Sequence, residues 1–411
     1  MTRLSGTSRQ GSSSGPRIGE GVPFAAIASI AGLVVVAALT VSISSGQLPF
    51  LNGSTGGKPG ASGDPGPAAQ TPTPSNVIVV PTEKPGFDLP GSFVYVKDGN
   101  IWIQSAGAAA QLTTGGTDSM PSFTPDGSAV LFVRTRTATG YWPVNGVTKR
   151  YRLEVPSLMR VALSGGDAQQ LLDGLVDPAG KLKWSGFIRE PVLSPDGRTV
   201  AMASDLPDPS TSDVTLRLFD LKTKKLKNPG LAQVIPLGHQ DPAWRPDGLR
   251  LAYVRSNRDG AKGAPQIYGY STETGKAAPI TGPGYLHPSW SPDGRYLAAT
   301  RTSAFGTDIV LLNAKTGAEV LRVTDDGESW APVWSPRGDQ VAFLHVVGQI
   351  VDLRLAQLDG RAGSWSVKET VNLTSNAGLD GASRPGWFIS AADLPASPAP
   401  TQVPAASSIA P

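Results

Sequence analysis

The chain has 411 residues, of which 17% are charged, and a formal net charge of +3 from 36 Lys and Arg against 33 Asp and Glu. So weak a positive balance, with no basic run and no stripe of interleaved aromatics, gives no ground for nucleic-acid binding. There is no cysteine, which excludes disulfides, zinc-finger spacings, thiol chemistry and a bacterial lipoprotein anchor together.

Residues 1–22 are polar and rich in Ser and Gly, with Arg3, Arg9 and Arg17 against Glu20. This composition predicts a disordered tail. From Pro23 to Ser45 the chain reads PFAAIASIAGLVVVAALTVSISS, without a charge. That is long enough for a membrane-spanning helix, which needs about 20 residues. The arginines precede it, so the positive-inside bias puts the N-terminus in the cytoplasm and the remainder outside, as a single-pass signal anchor in the cell membrane. A cleaved signal peptide is the competing reading. Ser42 and Ser44 permit cleavage, but the apolar run exceeds the usual length of about 7–15 residues. Residues 46–91 are dominated by Gly, Pro, Ser and Thr. They predict a linker that leans to polyproline II and holds the rest of the chain clear of the membrane.

Strand signals begin at residue 92. FVYVK (93–97), a DGN turn, IWIQ (101–104) and AQLTT (110–114) read as three strands. A seven-residue phrase then recurs: PSFTPDG from Pro121, PVLSPDG from Pro191, PAWRPDG from Pro242, PSWSPDG from Pro288 and PVWSPRG from Pro332. A shortened version, RPGWF, runs from Arg384 to Phe388, and the leading prolines are 70, 51, 46, 44 and 53 residues apart. In each full phrase Pro presets φ, Asp can bond its own backbone and Gly accepts positive φ, so the phrase is a strand entering a tight turn. The apolar runs after these turns (AVLFVR, TVAMAS, LRLAYVR, YLAATR, QVAFLHV) read as second strands of period two, and two further strands complete most units.

A period of about 40–50 residues with four strands per unit predicts an all-β chain folded as a six-bladed β-propeller over residues 92–390. Three strands at the start and one at the end make the sixth blade, which hides the edges an open ring would expose. The leading Pro suits an inner edge strand. Phe123, Trp244, Trp290 and Trp334, two residues further on, are expected to wedge between blades. The tail 391–411 is rich in Pro and Ala and reads as disordered.

The PxWSPDG phrase followed by an apolar strand resembles the WD40-like repeat of TolB-like six-bladed propellers, and is similar to the propellers of prolyl peptidases. Five repeats carry the resemblance, and Arg337 departs from the pattern where Asp is usual. No peptidase domain comes after the repeats. The resemblance implies an extracytoplasmic interaction module, whereas the fold alone specifies no function.

Blade connectivity brings the residues before each leading Pro to one mouth of the channel: Met120, Glu190, Asp241, His287, Ala331 and Arg384. One step earlier come Ser119, Arg189, Gln240, Leu286, Trp330 and Ser383. Glu190, His239, Asp241, His287, Trp330 and Arg384 are the candidate ligand-binding residues there, against the plainer reading of polar lining in a water-filled channel. No sequence-local ligand spacing supports a metal, so none is assigned and no cofactor is expected. The segment 136–156 between second and third strands, RTATGYWPVNGVTKRYRLEVP, is the largest insertion and overhangs the same face. Its Tyr141, Trp142, Arg150, Tyr151 and Arg152 are candidate interface residues, against a self-packed surface loop. His345 reads as packed or solvated, and the lysines 222–227 as a solvated turn.

Enzyme signatures are nearly absent. G-x-S-x-G occurs only at Gly11–Gly15, within a Ser tract lacking the strand and helix of a nucleophile elbow. The expectation is a monomeric, non-enzymatic binding, scaffold or sensing module for an envelope protein, peptide or glycan. The alternative is a metal-assisted lyase or hydrolase at the mouth, using His239, Asp241 and His287, and a third reading is a spacer with no ligand.

Overall fold

The structure, a computed structural model, describes residues 78–394 apart from 82–88, 107, 178–181, 210–211, 232–237, 257–263 and 362–363, with backbone only at 78–81 and 361. The predicted cytoplasmic tail (1–22), transmembrane helix (23–45) and most of the linker and C-terminal tail lie outside these residues. Among the described residues every element is a strand, and no helix is long and apolar enough to cross a membrane.

Five four-stranded antiparallel sheets succeed one another along the chain, each a meander of neighbouring strands. The first blade comprises Asp118–Phe123, Ala129–Val144, Val147–Ala162 and Gln169–Asp173. The second begins at Arg189–Leu193, the third at His239–Trp244, the fourth at Tyr285–Trp290 and the fifth at Ser329–Trp334. The sixth is assembled from both ends of the described chain. Gly386–Phe388 is its innermost strand, then Ser92–Lys97, Asn100–Ser105 and Ala108–Gln111. The six-bladed expectation therefore holds.

The tight turns work as their residues dictate. In the first, the Asp126 carboxylate accepts from the Thr124 hydroxyl (2.6 Å) and the Ser128 amide (3.1 Å), and Gly127 takes φ +66°. Asp196 and Asp293 repeat this pattern with Ser194 and Ser291. Where Arg337 replaces Asp, its amide donates to the Ser335 hydroxyl at 3.1 Å and the turn persists.

The second strands differ from their expected alternation. Ala129–Val133, Val200–Ser204 and Val341–Val346 are buried at every position. Each is covered on both faces by neighbouring blades, so a polar face has nowhere to point. The predicted wedges are in place. The Trp244 indole donates to the Val192 carbonyl of the previous blade (3.2 Å), and Trp290 donates to Ala243 (3.0 Å). At the closure, Trp387 donates to the Pro90 carbonyl at 3.0 Å and packs 4.4 Å from Phe93, centroid to centroid.

Three expectations are corrected. The linker does not extend to residue 91: Ile78–Pro81 adds a fifth strand outside Ala108–Gln111, and Leu89 is buried in the core beside Trp387. The tail does not begin at 391, because Leu394 still packs against that core and Ser390 bonds Asp393. The segment 136–156 is not a loop. Its alternating Thr, Tyr, Val and Arg residues favour strand, and Asn145–Gly146, both at positive φ, close a two-residue hairpin. The result is a ribbon of two paired 16-residue strands, with Val144 facing Val147 at the tip. Beyond Arg134 it has outrun the inner strand and projects past the mouth face.

Candidate functional site

The inner strands share a local device that positions the channel-mouth residues. Met120, Glu190, Asp241, His287 and Ala331, each followed by Pro, all take positive φ between 50° and 54°. At each of them the pairing with the second strand slips, as between Ser119 and Ser122 in the first blade. This is a β-bulge, which re-aims a side chain and frees a backbone N–H. Positive φ is strained for a residue with a Cβ, costing about 1–3 kcal/mol. Because Met120 and Ala331 share the strain, it belongs to the repeat and not to a ligand site.

The freed N–H groups are satisfied from blade to blade. Met120 N donates to the Ser383 hydroxyl (2.9 Å), and Glu190 N to the Met120 sulfur (3.2 Å). Asp241 N donates to Glu190 Oε2 (2.5 Å), and His287 N to Asp241 Oδ2 (3.1 Å). Ala331 N donates to the Thr300 hydroxyl (3.0 Å), which also lies 3.0 Å from His287 Nδ1. Met120, Glu190 and Asp241 thus each cap the next blade's bulge. The hydrogen bonds run as one relay from Ser383 through the five bulges to Ala331, and each carboxylate caps its neighbour with one oxygen.

Charge gathers on one arc. His287 Nε2 lies 3.9 Å from Asp241 Oδ2, and Arg189 lies 3.9 Å from Glu190 Oε1. Arg384 donates to the Pro288 carbonyl at 2.8 Å. Blades surround these groups on every side, yet the side chains of Glu190 and His287 keep 17% and 21% exposure, against 4% for Asp241. Burial, then Asp241, raises the Glu190 pKa. Burial likewise raises Asp241 against the opposing pull of Arg384. His287 is pushed down to about 3 by burial and then by Arg384, so its imidazole is neutral at ordinary pH. The assignment that satisfies every group has Thr300 donating to Nδ1 and the Nε2–H facing Asp241. The arc offers two carboxyl groups, two guanidinium groups and a neutral imidazole.

The structure therefore brings together Glu190, Asp241, His287 and Arg384, with Arg189 beside them. It does not bring His239 to them. That imidazole is buried between blades, accepts from Leu216 N at 3.1 Å and packs 4.7 Å from the Tyr253 ring. Trp330 is also structural: its indole donates to the Gly381 carbonyl at 2.8 Å and its ring joins the core between the fifth and sixth blades. Among the described residues no group of three His, Cys, Asp or Glu side chains could hold a metal ion. Thr300 and Ser383 take part in this relay, and neither stands among the candidate ligand-binding residues read from sequence. Thr300, a polar residue in the apolar run YLAATR, is the available signal. His345 is packed, as expected, with its Nδ1 3.0 Å from the Ser329 hydroxyl.

On the ribbon, Trp142 packs on Trp184 of the crossover to the second blade (4.7 Å between centroids). Tyr141 exchanges backbone hydrogen bonds with Lys183, at 2.9 and 3.1 Å. Arg150 and Arg152 are exposed and Tyr151 half-buried, and all three line an open groove with Thr137, Ala138 and Thr139.

A closed ring of six blades, its inner strands opening on PxWSPDG turns and carrying a polar mouth, defines the class: a six-bladed β-propeller of WD40-like repeats. Residues 180–377 match the family model PD40, the TolB beta propeller domain, and over that stretch the chain is similar to TolB-type propellers. The crystal structure of TolB from Acinetobacter baumannii is similar at 19% identity and a TM-score of 0.52, covering 72% of this chain and 66% of that one. This chain thus spans just under two thirds of that protein's length. A TolB-type structure from Agrobacterium tumefaciens gives 18% identity and a TM-score of 0.48, over 75% of this chain and 96% of that one. An oligogalacturonate lyase in complex with manganese gives 18% and 0.41, over 69% and 96%. At these identities the likeness concerns the fold. No curated protein sequence matches the chain.

Proposed function

We propose that this protein is a membrane-anchored, extracytoplasmic propeller that serves as a docking or sensing module for an envelope protein, peptide or glycan. The observation behind this reading is the arc of Glu190, Asp241, His287, Arg189 and Arg384 at one mouth of the ring. Side chains that only capped backbone would not need two carboxyl and two guanidinium groups, since Met120 and Thr300 do the same work without charge. Balanced charges with a neutral imidazole suit a ligand that brings both signs, as a peptide does. The anchor reading is supported by the uncharged stretch 23–45 and the arginines before it.

A photo-crosslinking residue at Arg189, compared with one at Lys222 on the opposite face, tests the mouth in intact cells. Capture of a discrete partner from position 189, and not from 222, is expected. Equal capture from both faces, or none, overturns it. A protease-sensitive tag after residue 394 should be cleaved from outside intact cells, and protection would overturn the topology.

A further inference from the structure

The two edges of the ribbon differ in how their backbone is used. Tyr141 sends both its N–H and its C=O to Lys183, so neither reaches its cross-strand partner Arg150. In an antiparallel pair the outward and inward residues alternate. Arg150 must therefore point its own N–H and C=O away from the ribbon, and so must Thr148 and Arg152, two residues to either side. Two prolines agree with this parity. Pro143, opposite Thr148, and Pro156, opposite Thr135, occupy outward positions where no N–H is needed inside the ribbon. Pro156 shows the direction directly, because its carbonyl accepts from Gly174 N at 2.9 Å. Further along, the Glu154 carbonyl is taken by the Ser185 hydroxyl at 2.8 Å. Between Thr148 and Arg152, among the described residues, no backbone partner fills the edge, and all three outward residues are exposed.

We propose that the Thr148–Arg152 edge is a strand-addition site for an extended acidic segment of a partner protein. The ribbon already pairs in this way on its other edge, where the crossover lies against Tyr141. The open edge offers three donors and three acceptors over about 13 Å, the span of four residues of strand. It suits a segment of about five residues held by main-chain bonds, with side chains setting preference. Lys149, Arg150 and Arg152 against Glu154 give this short edge a net charge of +2, compared with +3 for the whole chain. The ion pair of Arg152 with Glu154, at 3.3 Å, is exposed and readily exchanged. Arg150 and Arg152 share a face, so acidic residues at alternate positions of the added strand would lie beside them. The residue between would meet Tyr151 on the other face. A second copy of this chain is disfavoured, since pairing two such edges sets like charges opposite one another.

This inference rests on the ribbon's edge, goes beyond the proposed function at the channel mouth, and is independent of it. It is tested on the full chain with a fluorescein-labelled nine-residue peptide alternating glutamate and valine, read by fluorescence anisotropy. Arg150→Pro removes one outward donor and leaves the hairpin's own bonds in place, and should weaken binding at least tenfold. N-methylating alternate peptide residues, which leaves the protein untouched, should do the same and decides the matter if Arg150→Pro melts the hairpin. Reversing charge with Arg150→Glu and Arg152→Glu should shift preference to a lysine–valine peptide. Asp241→Asn, in the channel, should leave the affinity within twofold, and a loss there would place the site at the mouth and overturn the proposal. No binding overturns it too. So does binding that survives both Arg150→Pro and N-methylation, or equal competition by a single-stranded oligonucleotide, since either reduces the edge to a charged patch.

Discussion

Replacing Glu190 by Gln and by Ala separates the two roles its carboxylate plays. Its Oε2 accepts the Asp241 backbone N–H at 2.5 Å, and the group also carries charge among Arg189, Asp241 and Arg384. Gln keeps an acceptor and loses the charge, whereas Ala loses both and leaves a buried N–H without a partner. An orphaned buried donor costs about 1–3 kcal/mol, so Ala should be less stable than Gln by that margin. The charge has its own pH signature. Burial raises the Glu190 pKa above its ordinary 4.5, so the folded state binds this proton more tightly than the unfolded chain does. The resulting stability is present in acid and is lost as pH rises from about 4.5 through the raised value. Gln removes that loss, so the Gln variant should gain on the wild type between pH 5 and pH 8. Urea unfolding followed by tryptophan fluorescence at both pH values measures each difference. Equal destabilisation by Gln and Ala at both pH values would show that the carboxylate does not serve as the cap of the third blade's bulge.

Two other outcomes are expected from the same geometry. His287 is held neutral by burial, with its pKa lowered from 6.5 to about 3, so its contribution is complete above pH 6.5 and is lost as pH falls toward 3. His287→Asn should flatten the acid limb of stability by up to about 1.4 kcal/mol per pH unit below pH 6.5, and an unchanged slope in urea titrations at pH 4–6.5 would count against a buried neutral imidazole. Gly127 holds φ +66°, and a Cβ there would lie 2.2 Å from the Phe388 ring of the closing strand. Gly127→Ala should therefore lower stability by about 1–3 kcal/mol, measured by thermal unfolding, whereas Gly146→Ala at the open ribbon tip meets no such ring.

The repeat is legible in the sequence because each of its parts has a local cause. Pro, Asp and Gly dictate the turn, the apolar run dictates the second strand, and at Trp244 and Trp290 the indole two residues after Pro finds the previous blade's carbonyl. The shared sixth blade comes from counting strands at both ends. The mouth residues are legible as positions and not as orientations. Glu190, Asp241 and His287 converge because a bulge turns them, and a positive φ before Pro contradicts the usual preference of that position for extended backbone. His239 reads like its neighbours in sequence, yet lies two residues before the bulge, where the regular pleat sends it between blades. The ribbon passes for a loop because its charged and aromatic residues look like surface, although Asn145–Gly146 between alternating residues is a hairpin signal. Ile78–Pro81 is hidden inside a Pro-rich stretch whose composition outweighs four residues.

The closing strand has a consequence for how the chain is made. Trp387 reaches back to Pro90 across 297 positions, so a ribosome must deliver almost the whole domain before the ring can shut. Until then Ser92–Lys97 waits with a bare inner edge, and contacts this distant in sequence form late. A message that stops anywhere before Gly386 therefore yields an open arc of blades with a sticky edge at each end. The damage from a premature stop near the C-terminus is set by the loss of this three-residue clasp, Gly386–Phe388, and not by how few residues are missing.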